Sequence, residues 1–144
     1  MTPIERLTAI EEIRALKARY WLAVDTQDGA LLRSVFSDDA AIPSPDGATQ
    51  RSAQAFVDNL LAMFRGATSV HQGSAPIIAF RSDVEATGLW TLEDWIWAPE
   101  TGSPLPFKVL HGWGHYHDVY RRTAEGWRIQ SFRLDRIKVE TVPA

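Results

Sequence analysis

The sequence contains no cysteine, which excludes a disulfide framework, a thiolate nucleophile and a metal site built on sulfur. It also lacks any apolar run near the ~20 residues that a membrane span requires. The opening stretch MTPIERLTAIEEIRALKARY mixes acids and bases where a signal sequence would be apolar, so the cytoplasm is the expected location. Net charge is small, at -3, and gives no electrostatic reason to expect a nucleic acid or a membrane surface as partner. A chain of 144 residues is long enough for one core and too short for two, so a single domain over 1–144 is expected.

What is present falls into a helical half and a strand-forming half. Thr2, Pro3 and Glu5 supply a cap, a proline for the first helical turn and the acid of a capping box. Ile10, Ile13, Leu16, Tyr20 and Val24 then recur every three or four positions, which predicts a helix to about Asp25 with Glu11, Glu12, Arg14 and Lys17 mostly off its buried stripe. Asp28 and Gly29 introduce a short helix over 30–36, and the turn-rich stretch 37–51 reads as a loop with a short strand. Ser52 caps a third helix carrying Phe56, Val57, Leu60, Leu61 and Phe64, and Gly66 stands where a left-handed residue would end it.

From Thr68 the pattern changes to alternation, predicting strands over 68–73, 75–80, 84–97, 107–122 and 127–139. Three of these far exceed the usual ~5–6 residues, so the sheet must bend, with Gly88, Gly112 and Gly114 as bend or bulge positions. Short turns at 81–83 and 123–126 make antiparallel hairpins. Helices followed by a meander predict an α+β fold in which the sheet folds over the helices.

Several residues carry chemical potential. Tyr20 lies in the helical stripe, so its hydroxyl needs a partner or a ligand, while Asp25 sits at the stripe's edge and either stays at the surface or reaches a strand. His71 opens the sheet and reads equally as a core histidine or as a base whose tautomer a carboxylate fixes. Alternation puts Trp90, Leu92, Asp94 and Ile96 on one face, which makes Trp90 and Asp94 pocket candidates unless that strand forms an interface. His111, Trp113, His115 and His117 share a face that reads as a polar cavity wall. His115 and His117 have a spacing used by metal sites, but no third ligand is identifiable, so no metal is expected. Arg133 pairs with a carboxylate, holds an anionic or carbonyl group of a ligand, or is exposed.

The order of elements, together with Ala18-Arg19-Tyr20-Trp21, Val24-Asp25, Val70-His71-Gln72-Gly73, Trp90 to Asp94 and Gly112 to Asp118, resembles the SnoaL-like group of the nuclear transport factor 2-like superfamily over nearly the whole chain. The resemblance implies a cone of about three N-terminal helices packed into a strongly curved antiparallel sheet around a pocket. It is strongest to the dehydratases of bile acid and scytalone type, whose histidine base is oriented by an aspartate on the first helix, here His71 and Asp25. The bile acid type also implies roles for Tyr20, Asp94 and Arg133, and the scytalone type a second histidine, for which His115 is the counterpart. The dehydrochlorinase members carry a lysine where this chain has Tyr20.

These expectations combine into a small lyase without cofactor, in which His71 and Asp25 abstract a proton from an apolar, aromatic or polycyclic hydroxy-ketone. Tyr20 would assist, Trp90, Trp113 and Arg133 would bind the ligand, and Asp94 or His115 would protonate the leaving group. A ketosteroid-type isomerase, a polyketide cyclase or a noncatalytic binding or assembly module are the alternatives. A homodimer is expected through the tryptophan-rich strands.

Overall fold

The capping box forms as the sequence predicts. The Thr2 hydroxyl accepts from the Glu5 amide at 3.2 Å, and Glu5 accepts from the Thr2 amide at 2.6 Å. In the computed structural model, which describes residues 1–144, α1 runs from there over Pro3–Thr26 and ends on Gln27 in the left-handed region (φ 52). Asp28 caps the short α2, Gly29–Ser34, and Ser52 caps α3, Ala53–Met63. Gly66 beyond α3 takes φ 74, a conformation that glycine adopts without a Cβ clash. The stretch between α2 and α3 holds two short paired strands, β1 (Ala41–Pro43) and β2 (Gln50–Ser52), where one was expected.

Four long strands follow: β3 (Thr68–Phe80), β4 (Glu85–Trp97), β5 (Phe107–Thr123) and β6 (Gly126–Pro143). They pair in sequence order as one antiparallel sheet, and the three helices pack on it, giving an α+β architecture. The expected strands 68–73 and 75–80 are one strand with an irregularity between Ser74 and Ile77. Pro76, which has no N–H to give to a ladder, falls in that irregularity, and β3 is an edge strand where the lost bond is tolerated. The core joins Ile13, Leu16 and Val24 of α1 to Leu92 of β4 and Ile129 of β6. Each such side chain contributes roughly 1.5–3 kcal/mol through its removal from water.

One residue departs from the helical reading. Lys17 is fully buried although the stripe placed it mostly outside. It lies four residues after Ile13 and three before Tyr20, so the helix carries it onto the packed face, where Asp118 of β5 meets its ammonium at 2.8 Å. Sequence spacing alone does not reveal that partner. No helix is long and apolar enough to cross a membrane.

Candidate active site

Asp25 stands in the last turn of α1 and reaches across to β3. One oxygen accepts from the Ser69 hydroxyl at 2.8 Å and contacts His71 Nδ1 at 2.6 Å, while the other accepts from the His71 amide at 2.9 Å. A carboxylate so placed can only accept, so Nδ1 carries the ring proton and Nε2 presents its lone pair. Nε2 lies 3.6 Å from Asp94 Oδ2, beyond hydrogen-bond range. Gly73, two residues further along the same face of β3, packs against the Trp21 ring, which a Cβ there would occupy.

Asp94 projects inward from β4 and is buried, and Arg136 of β6 clasps it through two bonds of 2.7 and 2.8 Å. The bidentate pairing holds the Arg136 guanidinium above its ordinary pKa, against a desolvation cost. This pair spans β5 at Gly112, where a Cβ would collide with both the guanidinium and the carboxylate. The glycine is therefore required by close approach rather than by a bend, since Gly112 sits in regular register with Asp94.

These groups open onto a cavity of about 430 Å³. Its apolar wall includes Val24, Phe56, Leu60, Ile96, Phe132 and Leu134, and its polar lining includes Tyr20, His71, Asp94, Tyr116 and Arg51. Volume and lining suit a small, mostly apolar ligand oriented by a few polar groups. Tyr20 and Tyr116 meet edge to face at 5.9 Å between centroids. Burial raises the pKa of both phenols, Tyr20's proximity to Tyr116 adding to its own rise and the Asp94 and Asp118 charges adding to that of Tyr116. Both therefore stay protonated and able to donate.

Behind these rings lies a second polar cluster, sealed from the cavity. The Tyr120 hydroxyl donates to Asp118 at 2.6 Å and accepts from Trp90 Nε1 at 2.8 Å. Lys17 Nζ lies 3.7 Å from the centre of the Tyr116 ring and beside Asp118 as an ion pair, without hydrogen-bond alignment. Desolvation lowers the Lys17 pKa, with Asp118 opposing the shift.

The structure thus brings Tyr20, Asp25, His71 and Asp94 together and separates the other candidates. Trp90 shares the inner face but packs edge to face on Trp21 at 5.5 Å and bonds Tyr120, so it belongs to the core rather than to the cavity wall. Trp113 and His115 lie on the opposite face of the sheet, because Tyr116 and Asp118 take the inward positions of β5. There Trp113 lies against His111, His115 faces Asp135 across the ladder, and no group of three or more metal-binding side chains forms.

Arg133 contributes to the lining, but its side chain is exposed and its guanidinium is taken by Asp135 at 2.9 Å. Arg136 holds Asp94 in its place. The cause is a register shift between Val119 and Tyr120: Trp127 and Ile129 face inward, one extra residue enters β6, and Phe132, Leu134 and Arg136 become the inward set. Strict alternation from Trp127 would have placed Arg133 inside, and nothing in the sequence marks the shift. Tyr116 was legible, since alternation that sends the histidines one way sends Tyr116, Asp118 and Tyr120 the other.

A model of the SnoaL-like domain matches residues 5–133 of the chain. The fold is similar to that of a scytalone dehydratase-like protein from Novosphingobium aromaticivorans (TM-score 0.82, 18% identity, covering 100% of this chain and 93% of the other). It is also similar to a type 2 hexachlorocyclohexane dehydrochlorinase (TM-score 0.80, 17% identity, 99% and 95%). A protein of unknown function from Mycobacterium tuberculosis shares 28% identity (TM-score 0.78, 96% and 78%). No curated protein sequence matches the chain.

Proposed function

The chain belongs to the SnoaL-like family, and from that membership and the cavity's geometry we propose that it is a cofactor-independent lyase of the dehydratase type, acting on an apolar cyclic hydroxy-ketone. The observation that carries this reading is the 2.6 Å contact between His71 Nδ1 and Asp25 at the wall of a largely apolar cavity. Asp25 fixes the tautomer, and Nε2 takes a proton from the carbon beside the carbonyl. Tyr20 and Tyr116 donate hydrogen bonds to the developing enolate oxygen. The imidazolium then has a carboxylate near each nitrogen, Asp25 at Nδ1 and Asp94 3.6 Å from Nε2.

Asp94 already accepts two bonds from Arg136, so it serves as an electrostatic partner, and His71 itself returns the proton to the departing hydroxyl. One C–H and one C–O bond break, a C=C bond forms, and water leaves. A positioned base contributes about 10²–10⁴-fold, and orientation within the cavity supplies further acceleration. Relatives named for dehydratase and dehydrochlorinase activity support elimination. The same groups would serve a double-bond isomerase, because a base that both takes and returns the proton needs no second acid.

The test is a thermal-shift screen of wild type and His71→Ala against cyclic hydroxy-ketones, with mass spectrometry of the products. Loss of one water with wild type alone is the expected result. Unchanged mass with a moved double bond would assign an isomerase, and equal stabilisation of both proteins without product would contradict catalysis and assign a binding module.

We further propose that the sheet curls around α1, a shape supported by the packing of α1 on both β3 and β6, the two edge strands. A homodimer through the outer sheet face is supported by the exposure of Trp97 and Val142 there. Light scattering that finds only a 16.1 kDa species would contradict it.

A further inference from the structure

Among the residues lining the cavity, three are arginines, and they differ in what their charges meet. Arg136 is clasped by Asp94, and Arg133 by Asp135. Arg51 of β2 forms no ion pair: one terminal nitrogen donates to the Pro43 carbonyl at 3.0 Å, and its Nε is buried with no partner. Its guanidinium lies 5.4 Å from the centre of the Phe56 ring, which also lines the cavity, and its charge acts on the Tyr20 hydroxyl. An arginine partly withdrawn from water without a counter-ion is costly unless a ligand supplies one. Asn59 and Ser44, also in the lining, add hydrogen-bonding groups without negative charge.

We propose that the ligand of this cavity is an acid, a ring system bearing a carboxylate that Arg51 binds while the rings lie against Phe56, Leu60 and Phe132. The inference rests on the reading of the cavity as a ligand site and adds the chemical class of the ligand. Arg51 presents a planar fork suited to two parallel bonds with a carboxylate. Its place on β2, apart from His71 on β3, makes it a binding and selecting residue rather than a catalytic one.

Calorimetric titration with 2-naphthoate and with its uncharged isostere 2-naphthamide tests this without depending on turnover. Wild type should bind the acid roughly ten- to hundredfold more tightly than the amide, the size expected of a hydrogen bond to a charged group. Arg51→Met, which keeps the aliphatic contact with Phe56, should bind both equally, and Arg51→Lys should keep part of the preference. Melting curves establish that the variants fold. Equal affinity in wild type, a preference that survives Arg51→Met, or no binding of the acid would overturn the inference. His71→Ala should retain the acid preference while losing turnover, so a failure of the base and a failure of the acid-binding arginine give separate signatures.

Discussion

Two buried polar clusters lie on either side of Tyr20 and Tyr116, and they are built to different ends. On the cavity side, every carboxylate has partners: Asp25 accepts three hydrogen bonds and Asp94 two, while one imidazole nitrogen stays uncommitted. On the sealed side, Lys17 and Asp118 meet as an ion pair, Asp118 Oδ1 has no partner, and neither residue lines the cavity. The contrast teaches that burial of charge alone does not mark a working site. What marks it is a lone pair left free in an otherwise satisfied network that opens on a cavity.

The largest effect should come from breaking the sealed cluster. Lys17→Ala leaves Asp118 buried and unpaired, and should cost about 3–5 kcal/mol of stability in denaturant titrations. The paired change of Lys17→Met with Asp118→Leu should recover most of the loss, whereas Asp25→Asn on the cavity side should leave stability far less affected than turnover.

A second measurement uses alkali. The chain has three tyrosines, Tyr20, Tyr116 and Tyr120, all buried and all with raised pKa values, chiefly through desolvation. Above about pH 10 the unfolded chain releases these protons and the folded chain keeps them, so the folded state binds more protons and stability falls as pH rises. The slope is up to about 1.4 kcal/mol per pH unit for each phenol. Lys17, lowered by burial, acts with opposite sign below the ordinary lysine value, where the unfolded chain still holds the proton. Phenolate absorbance should therefore rise only as the native circular dichroism is lost. Ionisation with native dichroism intact would contradict the burial of these rings.

A smaller effect is expected at Gly112. Gly112→Ala should displace the Arg136–Asp94 pair, costing about 1–3 kcal/mol through overpacking and lowering turnover as well. Unchanged stability and turnover would mean that the pair does not act on His71.

How much of this was legible in the sequence depends on whether the signal was local. The caps at Thr2 and Ser52, the helical stripe and the long strands are local, and the structure places them within a few residues of the expected bounds. Asp25 and His71 were candidates from type and position, yet 46 residues separate them and only the fold brings them together. Arg136 was hidden, because one extra residue in β6 exchanges inward and outward positions and no residue type announces it. Lys17 was hidden for a different reason: lysine is almost never buried unless paired, and its partner lies on a strand about a hundred residues later.

The most direct test of the central claim, that His71 Nε2 is a base, does not require knowing which product forms. A cyclic ketone that binds the protein is incubated in deuterium oxide with wild type and with His71→Ala, and exchange of the proton beside the carbonyl is followed by nuclear magnetic resonance. The account predicts exchange with wild type that falls by about 10²–10⁴-fold in the variant while its fold is retained. Equal exchange by both proteins would contradict it.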